Sequence, residues 1–180
     1  MDRRRFRRLR DGRLAMQLHT AEATLLAHLA DELTELLETP DPNDPAIDRL
    51  FPRAYLDPTE EEAEQSFSAL VAPDLLRARL DALRALVATV RPLADGPGSD
   101  AIHTVELDAE AEAQWLAVLN DARLALGTRL GVSDDRDEIE LDPDDPLVHA
   151  FQVYDWLTYL QGELVEVLLG ELPDVDDDDA

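Results

Sequence analysis

The chain of 180 residues contains no cysteine and no lysine, and only 5% of its residues are aromatic. Without cysteine there can be no disulfide, thiol nucleophile, iron–sulfur cluster or cysteine-based zinc site. The sequence also lacks a phosphate-binding loop, the GxGxxG and GxSxG patterns and the HExxH zinc motif. These absences exclude many enzyme classes, and we expect a non-enzymatic protein with no cofactor and no metal.

Charge is strongly one-sided. The 16 basic residues, all of them Arg, stand against 41 acidic ones, for a net charge of −25, and the pI is near 4.2. Such a surface repels nucleic-acid phosphates and favours protein partners with basic surfaces. The exception is residues 1–13, with seven Arg against two Asp. DNA contact, if there is any, should come from this Arg arm, and the alternative is a charged edge strand that blocks aggregation. The residues in question are Arg3, Arg4, Arg5, Arg7, Arg8 and Arg10.

The hydrophobic pattern predicts a mainly α fold, a single-domain bundle of about five helices behind a short N-terminal β-hairpin. Asp11-Gly12 is a hairpin turn signal between a strand near 5–10 and the alternating segment 13–18. Helical periodicity is found at 21–37, from 59 or 60 to 72, and at 74–91, 109–130 and 146–169.

Local signals suggest where these helices begin and end. Thr20 should cap the first helix. The second should begin with a capping box, bury an apolar face and end before Pro73. The capping box is formed by Thr59 and Glu62, and the expected buried face is Ala63, Phe67 and Leu70.

The last helix is apolar over more than half its circumference, which is typical of a helix at the centre of a bundle or at an interface. We therefore expect the bundle to wrap around it, with a homodimer through this helix as an alternative. The predicted single domain spans 1–172, with the arm and hairpin at 1–18, the bundle at 20–172 and a disordered acidic tail at 173–180. No apolar run is long enough to span a membrane, and no cleavage site follows the Arg-rich start, so we expect a cytoplasmic protein without membrane contact.

One polar group stands out on the fourth helix. Arg123 falls inside its apolar sector, where a guanidinium has to be paired because an unpaired buried charge costs several kcal/mol. The fifth helix offers Asp155 and Gln161, and Asn120 lies one turn from Arg123. We predict a polar cluster of Asn120, Arg123, Asp155 and Gln161 where the two helices cross. It either fixes the register of the pair or binds a small ligand.

Two segments carry a family resemblance. They are NDARLALG (120–127) with RLG (129–131), and YDWLT (154–158) with Leu160-Gln161. Together they resemble an actinobacterial family filed as a domain of unknown function and also described as the AosR oxidative-stress regulator family. The resemblance implies a cytoplasmic regulator of transcription under oxidative stress, with genes near a Clp-protease adaptor and a sulfur-carrier and cysteine-synthesis cluster.

The absence of cysteine means that such a regulator cannot sense oxidants through a thiol pair. We therefore expect a regulatory or adaptor protein that acts through protein partners, for which the transcription machinery, RNA polymerase or a sigma factor, is suitable. Two alternatives stay open. One is a small-molecule-binding protein or enzyme with its site near Arg123 and Asp155, and the other is a purely structural homodimer.

Overall fold

The computed structural model describes residues 5–41, 43–55, 57–96, 98, 101–132 and 145–170. These residues form a mainly helical fold with a small N-terminal sheet, as predicted. The predicted acidic tail at 173–180 lies outside them. In chain order the elements are β1 (Phe6–Arg8), β2 (Leu14–His19), α1 (Thr20–Glu38), α2 (Pro45–Leu50), a 3-10 turn (Pro58–Glu60), α3 (Glu61–Ala94), β3 (Ile102–Leu107), α4 (Ala109–Arg129) and α5 (Pro146–Leu169).

The sheet has three antiparallel strands in the order β1-β2-β3. Gly12 allows the hairpin turn because its φ of +86° lies in the left-handed region. Phe6 stands opposite Met16, and Leu14 opposite Leu107. Strand β3 was not predicted, because its own pattern is short and its pairing with β2 is non-local. The inward positions of β2 are completely buried and form one side of the core; they are Leu14, Met16 and Leu18.

Helix α1 follows β2 directly. Its N-cap is His19, not the predicted Thr20, and the His19 N–H donates to Glu22 Oε2 at 2.9 Å. The apolar face of α1 lies against the core, with Leu25 and Leu29 only partly buried. Its fully buried positions are Ala23, Leu26, Ala27, Ala30, Leu33, Leu36 and Leu37.

The second and third predicted helices are a single helix, α3, of 34 residues. The prediction that Pro73 ends a helix was wrong, for a local reason. Proline removes one intrahelical hydrogen bond, here the one that the Ala69 carbonyl would accept. Both Ala69 and Pro73 are exposed, so water can solvate that carbonyl and the helix continues. Pro92 is likewise exposed in the last turn.

The start of α3 also differs from prediction. Asp57 caps the 3-10 turn by accepting from the Thr59 N–H at 2.9 Å, and α3 begins at Glu61 without a side-chain cap. The predicted capping box is therefore wrong. So is the predicted burial of its first apolar face, because Ala63, Phe67 and Leu70 are all exposed. The five helices include the short α2, which was not predicted.

Helix α4, rather than α5, occupies the central place. It contacts α1, α2, α3, α5 and β3, whereas α5 packs mainly on α4 and β1. Small side chains let neighbouring helices approach α4 on several sides, and its buried set includes Ala122, Ala125 and Gly127. Helix α5 buries one seam and leaves Leu147, Tyr159 and Leu169 exposed. Among the described helices, none combines the length and apolar character that crossing a bilayer requires.

Candidate functional site

Two Arg residues of the arm are tied to the helical body. The Arg5 Nη1 donates to Glu22 Oε1 on α1 at 2.6 Å. Arg8 donates to both carboxylate oxygens of Glu112, a buried residue in the first turn of α4. Both guanidiniums are themselves only partly exposed. These two cations therefore hold strand β1 against the helices.

The other Arg residues of the arm are differently placed. Arg7 and Arg10 are exposed, and Arg3 and Arg4 lie outside the described residues. Within the described part of the arm, Phe6–Arg8 forms the edge strand β1, and the side chain of Phe6 is buried. This supports the edge-strand alternative, and leaves Arg7 and Arg10 as the described cations that a phosphate could reach.

Glu22 is the centre of a polar cluster that joins β1, α1 and α5. Its carboxylate accepts from Arg5, from the His19 N–H and from Trp156 Nε1 at 3.2 Å. Arg5 Nε also lies 3.8 Å from Glu163 on α5. Burial alone would raise the pKa of Glu22, but the His19 N–H, Arg5 and Trp156 together outweigh it and hold that pKa below its usual value.

This cluster should make the fold sensitive to acid. A carboxylate whose pKa is lowered on folding stabilises the fold above its unfolded value, here 4.5, and that contribution is lost as pH falls through the folded value. We expect Glu22→Gln to lower the free energy of unfolding by about 1–2 kcal/mol at neutral pH, with the deficit shrinking in acid. Urea unfolding at several pH values measures the loss of unfolding free energy and its dependence on pH. Glu35→Gln, on the exposed side of α1, is the control. A deficit that is constant with pH would contradict the ionic role.

The structure brings together two of the four residues predicted to cluster between the fourth and fifth helices. Gln161 Nε2 donates to Asn120 Oδ1 at 3.3 Å. Arg123 is half-buried with its Nε enclosed, and Asp155 lies on the exposed side of α5. Within the described part of the chain, no hydrogen bond or ion pair joins Arg123 to Asp155.

The same crossing contains a close approach at Gly127. A Cβ at this position would lie 2.8 Å from Cε2 of Tyr154. Since Gly127 meets Tyr154 and Asn120 meets Gln161, the helices run antiparallel and Arg123 lies between the two contacts. The register of α4 against α5 is therefore set by a small residue at one end and a hydrogen bond at the other.

Replacing Arg123 tests whether it has a hidden anionic partner. We expect Arg123→Met to leave the melting temperature unchanged or slightly raised, because Met keeps the packing of the methylenes and removes a half-buried cation. Thermal unfolding with and without added phosphate measures this. A loss above about 1 kcal/mol would show that the guanidinium is paired, as the ligand-site alternative requires.

Sequence reasoning missed the ion pair between α3 and α4. Arg79 Nε donates to Asp121 Oδ2 at 2.8 Å, and the guanidinium lies 5.1 Å from the centre of the Phe51 ring. Asp121 is buried, and burial raises its pKa against the opposing effect of Arg79. Part of the signal was present, because Arg79 lies within the apolar stripe of α3. Arg79 stands three residues after Leu76 and four before Leu83.

A cavity of about 260 Å³ opens at the end of α1, beside α2 and the end of α4. Acidic side chains dominate its lining, and Arg129 spans it to Asp44 at 2.7 Å. This ion pair and the Ala46 N–H lower the pKa of Asp44. Within the described residues there is no group of three or more His, Asp or Glu side chains placed to hold a metal ion. The cavity is lined by none of the four residues of the predicted cluster.

The sequence of the chain matches a known family. The sequence profile described as "Domain of unknown function (DUF2017)" matches residues 3–168. The chain therefore belongs to this family, as its two diagnostic segments predicted. No solved structure matches it.

The named relatives are mycobacterial. Proteins called "Oxidative stress regulator AosR" in Mycobacterium bovis and Mycobacterium tuberculosis are 35% identical to this chain, over 93% of it and 88% of the relative. A "Putative oxidative stress regulator AosR" of Mycobacterium leprae is 36% identical over 71% of this chain and 60% of the relative.

Proposed function

We propose that this chain is a non-enzymatic, cytoplasmic regulator of the oxidative-stress response that acts through protein partners. The observation that carries the proposal is its 35% identity, over nearly the whole of both chains, to proteins named oxidative stress regulators. Partners with basic surfaces suit a chain with a net charge of −25, because electrostatic attraction speeds their encounter. Components of the transcription machinery are the partners that we favour.

The described sulfur of this chain is poorly placed to sense oxidants. Cysteine is absent, and the two methionines are Met1 and Met16. Met16 is 0% exposed in the centre of the sheet, so an oxidant cannot reach its sulfur in the folded protein. The absence of cysteine and the burial of Met16 support a signal that reaches the chain through a partner.

The ion pairs that Arg residues of the arm already make favour protein contact over DNA contact. Arg5 and Arg8 already pair with carboxylates of the body, and Arg13 pairs with Asp11 and with Glu106 at 2.5 Å. A guanidinium held in such a pair would have to break it before meeting a phosphate. Most of the arm's described charge is thus neutralised within the molecule.

DNA binding through the arm has a direct test. Deleting residues 1–13 would also remove the buried Phe6, so the exposed Arg7 and Arg10 should be replaced together by Ser. We expect the full chain to bind promoter DNA of its gene neighbourhood weakly and without sequence preference. Anisotropy titrations at two salt concentrations measure this. Specific binding that the double substitution abolishes, with a steep salt dependence, would make DNA the direct target.

The regulatory role is tested in cells. A mycobacterial strain lacking its AosR gene would be complemented with this chain and exposed to hydrogen peroxide, and transcripts and survival would be compared with the uncomplemented strain. We expect complementation to restore the peroxide-dependent transcripts. Full expression of the folded chain without any change in transcripts or survival would overturn the proposal.

A further inference from the structure

The first half of α3 carries apolar side chains that the core does not use. The residues that α3 buries in the core lie in its second half: Ala82, Leu83, Leu86 and Val90. In the first half, Phe67 is 42% exposed, Leu70 76% and Val71 37%. Exposed apolar residues scattered singly need no explanation, but a contiguous set is typical of an interaction surface.

These side chains share one face. Positions 67, 70 and 71 lie within one turn, at the i, i+3 and i+4 spacing that aligns side chains on a helix. The ring of Tyr55, from the segment before α3, packs edge-on against Phe67 with centroids 6.2 Å apart. We call Tyr55, Phe67, Leu70 and Val71 the α3 apolar face. Aromatic anchors of this kind are enriched among the residues that dominate binding energies.

The segment that carries this face is acidic. We call its acidic residues the acidic border; they are Asp57, Glu60, Glu61, Glu62, Glu64 and Asp74. Residues 53–77 contain six acidic residues and two Arg, a net charge of −4. Both Arg are already paired, Arg53 with Glu61 at 2.5 Å and Arg77 with Asp74 at 2.9 Å. The charge left for a partner is therefore negative.

From this pairing of an apolar stripe with an acidic border, we infer that the α3 apolar face binds a basic amphipathic helix of a partner protein. The partner's apolar residues cover Phe67, Leu70 and Val71, and its Arg or Lys side chains meet the acidic border. A second copy of this chain would bring acidic side chains against acidic ones, and an anionic lipid surface would be repelled in the same way. The inference rests on the proposed action through protein partners and names the surface they use.

The test uses the full chain and a defined probe. The probe is a labelled helical peptide of about 18 residues, with Leu at the i, i+3, i+4 and i+7 positions and Lys elsewhere, beside a matched peptide carrying Glu for Lys. The variant is Leu70→Ser, which alters an exposed side chain and should not affect folding. The matched control is Leu147→Ser on α5, where the side chain is 48% exposed.

We expect the Lys peptide to bind the wild-type chain and the Glu peptide not to bind. Leu70→Ser should weaken binding at least about tenfold, and Leu147→Ser by less than about twofold. Equal binding by the two variants, or equal binding of the two peptides, would overturn the inference. So would a wild-type dimer in sedimentation that Leu70→Ser dissociates, because the occupant would then be a second copy.

The same variant in the complemented strain separates the two proposals. If wild type and Leu70→Ser restore the peroxide-dependent transcripts equally, the regulatory role stands and the α3 apolar face is the wrong surface. If the Lys peptide binds as expected but the wild-type chain restores nothing, the surface stands and the regulatory role fails. Loss of both peptide binding and complementation in Leu70→Ser supports both.

Discussion

Replacing Arg79 by Met should lower the free energy of unfolding by about 2–4 kcal/mol, whereas replacing Arg79 by Met and Asp121 by Leu together should be nearly neutral. The single change leaves Asp121 as an uncompensated charge between α3 and α4, where its side chain is only 13% exposed. Removing one member of a buried pair costs far more than exchanging both for apolar groups of similar size. Denaturant unfolding of the wild type, the two single variants and the double variant forms a double-mutant cycle, which gives the interaction energy of the pair.

The pH dependence separates charge from packing in this experiment. Burial raises the pKa of Asp121 above its ordinary value of 3.8. At pH values between 3.8 and that raised pKa, the folded state holds a proton that the unfolded state has released. Stability therefore falls as pH rises through the window above 3.8. Without Arg79 that effect grows, so the Arg79→Met deficit should shrink as the pH is lowered towards 4. A deficit that stays constant with pH would assign the loss to packing around Phe51 instead.

A surface pair provides the control for this cycle. Arg84 donates to Asp81 at 2.6 Å on the same helix, with both side chains more than half exposed. Exposed pairs of this type contribute little, so Arg84→Met should change the free energy of unfolding by less than about 0.5 kcal/mol. An equal loss at Arg79 and Arg84 would mean that burial is not what makes the inter-helix pair matter.

The second large effect is expected at Gly127. Adding a Cβ there places it 2.8 Å from the Tyr154 ring, so α4 and α5 have to separate or the ring has to move. Overpacking of this kind typically costs about 1–3 kcal/mol, more than the gain of up to about 1 kcal/mol from replacing a helical glycine by alanine. We expect Gly127→Ala to destabilise the fold by about 1–2 kcal/mol, measured by thermal and denaturant unfolding.

The chain offers a matched glycine on the partner helix. Gly162 in α5 is exposed, and a Cβ there would meet nothing within 4 Å. Gly162→Ala should therefore stabilise the protein by a few tenths to about 1 kcal/mol. Shortening Tyr154 to Leu in the Gly127→Ala background should recover part of the loss. The same sign of effect at both glycines would contradict the close approach at the crossing.

The sequence predicts best the elements that rest on local signals. The hairpin follows from Asp11-Gly12 and its flanking alternation, and α4 and α5 follow from their periodicity to within a residue or two at their ends. Pro73 misled because its effect depends on whether the Ala69 carbonyl can reach water, and the sequence does not show this. Strand β3 was missed because its stability comes from pairing with β2 across nearly 90 residues of chain.

Of the polar contacts between helices, one was predicted from the sequence and another was not. Asn120 and Gln161 were predicted to meet, and they do, because both lie on the facing sides of two well-predicted helices. Arg79 and Asp121 were not predicted to pair, although Arg79 stands in the apolar stripe of α3 as Arg123 does in that of α4. Recognising that Arg79 is the cation that pairs with Asp121 required knowing that α3 is continuous and packs on α4. Partner choice among buried charges is therefore a tertiary property.

The Glu22 cluster also orders events along the folding pathway. Trp156 donates to Glu22 across a separation of 134 residues, so this contact closes a loop that contains most of the protein. Contacts of such high sequence separation form late, because the entropy of loop closure has to be overcome first. On the ribosome, β1 and α1 must wait without this partner until α5 has been synthesised. Until then Glu22 has only Arg5 and the His19 N–H as partners, and Phe6 stays without the helix that packs against its strand.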